Sequence, residues 1–478
     1  MLVAGVDSST QSCKIVVRDA DSGRLLRHGT AAHPPGTEID PHHWWRALRR
    51  ACDRAGGLDD ISALSISGQQ HGMICLDARG EVIRPALLWN DTRSAAAAEA
   101  LVRELGDGDR DLGARRWADA VGTVPVASLT VTKLRWLADH EPENARRIAA
   151  IALPHDWLTW RLRGAESLDT LTTGRSDASG TGYFDAAANA YRRDLLALAL
   201  RRKDTHDLVL PHVRGPAEPA GTADPRLGLS HLLIGPGCGD NAGAALGLGL
   251  TTGQVFLSLG TSGVIAAVSD TPAADRTGAV AGFADATGRF LPLACTLNAT
   301  GVLDAMATAL GVTLDRLSLL ALKAAPGAGG LTHIPYLAGE RTPNLPHATG
   351  SLHGMTAAAM TPENLARAAF EGLLCLMAEA MNTVRAQGIS IDRITLIGGG
   401  ARSPALRRLA PALLAVPIAV PAPGEYVAGG AARQAAWTLS GTADPPPWTH
   451  GETETYTAPT TPEVLTRYRA LAPTSPER

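Results

Sequence analysis

Apolar and polar positions alternate in short runs from the first residues onward. Leu2 to Val6 is an apolar strand ending at Asp7, Ser8-Ser9-Thr10-Gln11-Ser12 is a polar turn, and Cys13 to Arg18 resumes strand character. The pattern predicts a hairpin whose tip offers hydroxyls, an amide and one carboxylate. It returns at Ser258-Leu259-Gly260-Thr261-Ser262-Gly263-Val264-Ile265. With Asp7 laid on Ser258, Thr10 falls on Thr261, Ile15 on Ala266 and Asp19 on Asp270. One strand–turn–strand unit repeated half a chain apart points to a duplicated domain, not a solenoid.

Between the hairpins, Asp40 and Pro41 open a helix as N-cap and first residue. Ile61 to Ile66 alternates as a strand and ends in Ser67-Gly68-Gln69-Gln70-His71-Gly72-Met73. Ala86-Leu87-Leu88 leads to Trp89-Asn90-Asp91. Leu129 to Ala138 reads as an amphipathic helix, and Pro154 starts another. Thr170 to Gly182 is a Thr/Ser/Gly loop, and Arg201 to Arg226 is a surface connection. Leu232-Leu233-Ile234 breaks into Gly237-Cys238-Gly239-Asp240-Asn241-Ala242-Gly243, a strand end opening into a tight turn. A small-residue helix follows over Ala244 to Leu250, although Gly247 and Gly249 weaken it.

In the second half, Leu297 to Gly301 leads into a helix through Leu310, and Glu340-Arg341 forms a pair in a loop. Pro362 to Ala386 is a long helix capped by Thr361. Arg393 to Ile397 is a strand running into Gly398-Gly399-Gly400-Ala401-Arg402-Ser403-Pro404. Pro417 to Val420 and Val427 to Leu439 add a strand and a helix. The tail from Thr442 is loosely structured apart from a helix at Pro462 to Leu471.

Composition narrows the classes. The chain has 478 residues, 45% hydrophobic and 19% charged, with net charge −3, which suits a soluble protein of two or three domains. That charge points to neither nucleic acid nor an anionic membrane surface. No apolar run is long enough to span a bilayer. Met1 to Asp7 lacks a basic n-region and predicts no signal peptide. The six cysteines are scattered without a C-x-x-C, as buried thiols of a reducing cytoplasm.

Several segments carry candidate chemistry. Asp240, between glycines at a strand-to-helix corner, is either a helix cap or a base that takes a hydroxyl proton. The first hairpin turn is either a plain turn or a holder of phosphate oxygens, with Mg²⁺ on Asp7. Gln69, Gln70 and His71 offer hydrogen bonds to a polyol, and Trp89 offers a flat apolar face beside polar atoms; both also read as ordinary turns with a buried anchor. Strand, triple glycine and helix at Gly398–Gly400 is either a nucleotide-binding geometry or a tight turn. His42 and His43 are adjacent, do not share a helix face, and predict no metal. No G-x-x-x-x-G-K-[ST], H-R-D, D-F-G, Rossmann glycine pattern or H-E-x-x-H is present.

The motifs taken in order resemble one family, the FGGY sugar kinases of the ribonuclease-H/actin-like ATPase fold. They are Gly5-Val6-Asp7-x-x-Thr10, Asp40-Pro41-x-x-Trp44-Trp45, Gly68-Gln69-x-His71-Gly72, Leu88-Trp89-Asn90-Asp91 and Gly239-Asp240-Asn241 in the first half. Leu257-Ser258-Leu259-Gly260-Thr261-Ser262, Gly339-Glu340-Arg341-Thr342-Pro343 and Gly398-Gly399-Gly400-Ala401-Arg402-Ser403 follow in the second. Gly350-x-Leu352-x-Gly354-Met355 and Asn364-Leu365-x-x-Ala368-Ala369-Phe370-Glu371 are similar to the family's C-terminal signature. The resemblance runs from Val3 to about Leu439.

The resemblance implies an α/β fold of two duplicated domains with a catalytic cleft between them. It implies a sugar-binding domain over 1–245, a nucleotide-binding domain over 246–440 and a tail over 441–478. Within the family it is nearest to the members that phosphorylate D-xylulose, so ATP, Mg²⁺ and a ketose are the expected ligands. A sister kinase of ribulose, another ketose or a polyol is the neighbouring alternative. A non-catalytic sugar- or nucleotide-binding regulator is the alternative from another class. Asp240 is the implied base, and Asp7 the implied Mg²⁺ ligand. Gln70, His71, Asp240, Asn241 and Trp89 would line the sugar. Thr10, Gly260 and Thr261 would hold phosphates, and Gly399, Gly400 and Ala401 would meet ADP. A homodimer is compatible with this picture. The chain departs from the family pattern at Ser9, where the first turn usually has glycine, and at Gln70, where a methionine is common. Ser9 keeps phosphate binding if it tolerates the turn's backbone, and Gln70 changes little if that position touches sugar through its backbone.

Overall fold

The structure is a computed structural model and describes residues 1–449 and 451–473. The chain forms two compact units, neither continuous in sequence. The first comprises Met1–Leu250, Asp270–Leu291 and Gly424–Thr449. The second comprises Thr251–Ser269, Pro292–Pro423 and the described residues after 450.

In the first unit, the strand Leu2–Ser8 lies antiparallel to Ser12–Asp19 and parallel to Ile61–Gly68. Leu25–Ala32 extends the sheet on one side, and Leu233–Ile234 and Gly221–Thr222 extend it on the other. Both faces of the central strands are covered, so their sequences are almost continuously apolar. Ala4, Val6, Ile15 and Val17 face a core shared with Trp44, Leu48 and Ala51 of the helix His42–Arg54. Val3, Val16 and Ala63 face the opposite way, onto Ala428, Ala432 and Ala435 of the helix Tyr426–Ser440.

That second helix comes from the far end of the chain and approaches at backbone distance. A Cβ added to Gly5 would lie 2.0 Å from the Ala428 carbonyl oxygen, and one added to Gly430 would lie 1.9 Å from that of Gly243. The sequence reading puts this helix in a domain spanning 246–440. Close packing by small residues instead seats it among the elements of the first unit.

The second unit repeats the motif. Val255–Leu259 is antiparallel to Gly263–Ala267 and parallel to Ile394–Ile397, which continues in parallel to Ile418–Pro421. The predicted long helix is present as Pro362–Arg385, with Thr361 Oγ1 accepting from the Asn364 amide.

Three stretches differ from expectation. Thr170 to Gly182 is not a loop throughout. Thr172–Gly174 pairs in parallel with His212–Arg214, and helical turns follow at Arg175–Ala178 and Ser179–Thr181. The connection between Arg201 and Arg226 supplies that partner strand. The tail carries a strand, Thr453–Tyr456, antiparallel to Ile418–Pro421, besides the expected helix Pro462–Leu471. No single helix among the described residues is long and apolar enough to cross a membrane. All six cysteines are buried, and none is in a disulfide.

Candidate active site

Three strand ends stand in register in the first unit. Asp7 pairs with Ser67 across the parallel ladder, and Cys238 and Gly239 pair with Ser67 and Gly68. The carboxyl ends of parallel strands are where open α/β sheets bind ligands, because the chain must leave the sheet there through turns. Asp7 is buried, and desolvation pushes its carboxyl up to about 6 against the opposing hydrogen bond from Ser9. Ser9 Oγ donates to Asp7 Oδ1 at 2.9 Å. Ser9 has no positive φ, so the turn accepts it in place of the family's glycine without strain.

After Gly239 the chain turns into the helix Asp240–Gly247. Gly239 occupies the N-cap without a side-chain cap bond, and Asp240 is the first helical residue. Asp240 Oδ1 accepts from its own neighbour, at 2.8 Å from Asn241 N and 3.0 Å from Asn241 Nδ2. Burial pushes the Asp240 carboxyl up to about 7; the charge of Asp7 adds to the rise, the Asn241 amide opposes it, and Asp177 adds a smaller push. A carboxylate with a pKa near neutrality is matched to general-base work.

An amide network surrounds this corner. Asn241 Nδ2 also donates to Gln70 Oε1 at 3.2 Å, and Gln70 Nε2 donates to Ser176 O at 3.3 Å. A methionine at position 70 could make neither bond, so the departure at Gln70 acts through its side chain. Thr10 Oγ1 accepts from Trp89 Nε1 at 2.9 Å and donates to Gln69 Oε1 at 3.4 Å. The Thr10 hydroxyl is therefore tied to Trp89 and Gln69. Asp91 is occupied structurally, accepting from Thr37 Oγ1 at 2.8 Å and pairing with Arg93. His71 has φ +71°, and its Nδ1 lies 2.7 Å from Gly180 O, an acceptor that places the proton on that nitrogen. Asp7, Thr10, Gln70, Trp89, Asp240 and Asn241 thus share one edge of the first unit, while the His71 ring turns toward Gly180.

The second unit's corner is built from backbone. The Gly260 carbonyl accepts from Thr300 N at 3.0 Å and Thr300 Oγ1 at 2.8 Å, which fixes the hairpin turn on the next helix. Gly260 and Thr261 are exposed. The parallel register of Ser258 with Ile397 sets the Gly398–Gly400 turn beside it. Gly398 has φ +86°, and a Cβ there would lie 2.7 Å from the Leu259 carbonyl oxygen, so only glycine fits. A Cβ on Gly399 would meet nothing within 4 Å. Gly260, Thr261, Gly399, Gly400 and Ala401 therefore lie together. Glu340 of the Glu-Arg loop is tethered by main-chain amides and by the Asn298 side chain. The buried Glu340 accepts from Leu297 N at 2.7 Å, Asn298 Nδ2 at 2.9 Å and Arg341 N at 2.7 Å.

Comparison with known proteins places both halves of the chain in one family. The model of the N-terminal domain of the FGGY family of carbohydrate kinases matches residues 2–247, and that of its C-terminal domain matches residues 255–439. The chain belongs to the FGGY family of carbohydrate kinases. Its two α/β units are the ribonuclease-H/actin-like fold used twice. The chain is 47% identical to the xylulose kinase of Streptomyces coelicolor over 92% of its own length and 88% of the relative's. It is 35% identical to the xylulose kinase of Escherichia coli over 85% and 83%. The crystal structure of xylulose kinase from Bifidobacterium adolescentis superposes with a TM-score of 0.92 at 52% identity, covering 98% of this chain and 99% of that one.

Three residues of this FGGY chain near the corner escaped the sequence reading. Ser176, Asp177 and His155 are fully buried around the Gly237–Asp240 turn. Ser176 and Asp177 stand in the stretch read as a loop, and His155 was read only as part of a helix start. Their juxtaposition is purely tertiary.

Proposed function

We propose that this kinase transfers the γ-phosphoryl group of ATP to D-xylulose, giving D-xylulose 5-phosphate and ADP, with Asp240 as the general base. The observation that carries the reading is the Asp240 carboxyl, raised to about 7 beside a network of amides, in a chain so similar to xylulose kinases. Asp240 takes the proton of the attacking sugar hydroxyl. That oxygen bonds to the γ-phosphorus as the bond to the β–γ bridging oxygen breaks, and ADP leaves with those electrons. Such a transfer needs positioning and charge neutralisation more than covalent chemistry. Gln70, Asn241, Trp89 and His71 are assigned to the sugar. Thr10, Gly260 and Thr261 are assigned to phosphates, and Gly399, Gly400 and Ala401 to the nucleotide, where the open side of Gly399 leaves room for a close approach.

The donor set fits Mg²⁺. Asp7 is a hard oxygen ligand, and Asp7 and Asp240 are like charges near one another, a repulsion that a divalent cation relieves. Asp7 would hold the ion, which neutralises phosphate charge when bound. A coupled ADP-release assay across a sugar panel tests the assignment. D-xylulose is expected to give the highest kcat/KM. Ribulose is expected to fall behind by about 1–3 kcal/mol of transition-state binding, the cost of an unmade buried hydrogen bond. A panel led by ribulose or a polyol would overturn the substrate and leave the kinase.

A further inference from the structure

Beneath the Gly237–Asp240 turn lies a buried group of charges. His155, Asp156 and Asp177 are each at most 1% exposed. His155 Nδ1 meets Asp177 Oδ2 at 2.5 Å, and its Nε2 lies 3.2 Å from Asp156 Oδ1. Asp156 is already engaged locally, since its Oδ2 accepts from Leu153 N at the start of its own helix. The His155–Asp177 pair is therefore the long-range link, joining the helix Pro154–Leu162 to the short turn Arg175–Ala178. The His155 ring is also wedged against backbone: a Cβ on Gly237 would fall 2.2 Å from His155 Cδ2, and one on Gly68 would fall 3.0 Å from His155 Cβ.

The residue next to Asp177 reaches the site from the same turn. Ser176 Oγ accepts from Gly239 N at 3.2 Å, one residue before Asp240, and Ser176 O accepts from Gln70 Nε2. We propose that Ser176, locked in place by the buried His155–Asp177 pair, is the positioning residue for Asp240. This rests on Asp240 being the base. The pair fixes where the turn stands, and the Ser176 hydroxyl then fixes the amide on which the helix Asp240–Gly247 begins. The Ser176 carbonyl holds the amide arm of Gln70 in the same frame. A buried ion pair that costs desolvation has a reason to be here if it sets geometry. Misplacing a reacting group by about 1 Å can cost about 100-fold in rate.

Steady-state kinetics on the full chain with D-xylulose and ATP decides the matter. Ser176→Ala removes the hydroxyl and keeps the carbonyl that holds Gln70. Its kcat is expected to fall about 10–100-fold while KM for D-xylulose stays within about threefold. His155→Gln, which unpairs Asp177, is expected to show the same split. A wild-type kcat in Ser176→Ala, or a loss carried by KM instead, overturns the proposal. If His155→Gln does not fold, Ser176→Ala decides alone, with its fold verified by circular dichroism. Asp240→Asn is measured alongside. Near-normal turnover there removes the base assignment itself, whereas an inactive Asp240→Asn with a fully active Ser176→Ala removes only the positioning role.

Discussion

The two units carry the same hairpin and put opposite chemistry on it. In the first, the buried Asp7 ends the strand in a half-buried corner of carboxylates, amides and a tryptophan. In the second, the equivalent position is Ser258, and the turn beyond it is exposed glycine and threonine. The ladders are alike, an antiparallel partner on one side and a parallel strand on the other. The difference lies in what the parallel neighbour delivers. In the first unit it ends in Gly68, next to Gly239 and Asp240. In the second it ends in Gly398, Gly399 and Gly400, with no charge at all. The two units thus offer holders of the same ladder topology. Side chains furnish one with carboxylates and amides, and their absence leaves bare backbone at the other.

The largest expected break between the corners comes from charge. Asp240→Asn should cut kcat by about 10²–10⁴ with sugar affinity roughly intact, because only the proton acceptor is lost. Ser258→Ala, at the position matching Asp7 in the second unit, should change kcat by less than about threefold. Kinetics paired with calorimetric sugar titration checks both. A near-normal Asp240→Asn would leave that residue only its local hydrogen bonds with Asn241 at the helix start.

Packing separates the corners next. Gly430→Ala forces a Cβ to within 1.9 Å of the Gly243 carbonyl oxygen, between the helix Tyr426–Ser440 and the helix that carries Asp240. Overpacking of this kind costs about 1–3 kcal/mol, occasionally more. Gly399→Ala meets open space and has no positive φ, so stability should hold or rise by about 0.4–1 kcal/mol. If the nucleotide approaches there, the KM for ATP of Gly399→Ala should still rise severalfold. Thermal melts and ATP titrations separate the two outcomes; a destabilised Gly399→Ala with normal KM would sink the contrast.

How far each corner could be read from sequence follows from the same contrast. Both hairpins were legible, because period-2 alternation and turn residues are local signals. Asp240 stood out as a carboxylate between glycines, although the sequence left cap and base open. The brace from Tyr426–Ser440 was not legible as part of the first unit. It depends on glycines meeting backbone across roughly two hundred to more than four hundred residues of chain, and glycine carries no sign of its partner. Ser176 and Asp177 in a Ser/Thr-rich stretch, and His155 in the first turn of a helix, were hidden for a related reason: a polar residue there looks solvated until a distant group is placed against it. The strand Thr453–Tyr456 went unread because it is short, polar and mostly exposed, an edge strand defined only by its neighbour.

A smaller effect tests the raised pKa of Asp240 through stability. Its carboxyl titrates near 7 in the folded chain and near 3.9 when unfolded. A raised folded value stabilises the fold at pH below the unfolded value, and that contribution is lost as pH rises through 7. Above pH 7 the wild type therefore holds a costly charge that Asp240→Asn lacks. The variant should be more stable than the wild type by about 1–2 kcal/mol at pH 8, discounted because Asp240 keeps some solvent access. The gap should close toward pH 4. Denaturant midpoints at the two pH values measure it, and an equal gap at both would contradict the raised pKa.

The smallest expected effect comes from Ser9, the departure from the family pattern in the first hairpin turn. Ser9→Gly restores the usual glycine and removes the hydroxyl that donates to Asp7. That hydrogen bond favours the charged carboxylate, so its loss moves Asp7 further above its present value of about 6. A bond of about 0.5–1.5 kcal/mol corresponds to at most roughly one pH unit. At pH 8 Asp7 stays largely ionised with or without Ser9, and activity should be nearly unchanged. At pH 6 the variant keeps fewer ionised Asp7 carboxylates, and kcat/KM should fall about two- to fivefold relative to wild type. The loss stays small because the corner titrates as a pair: less charge on Asp7 also lets Asp240 ionise more readily. The variant-to-wild-type ratio of kcat/KM across pH 6–8 is the measurement. A ratio independent of pH would mean that Ser9 serves the turn and not the carboxylate.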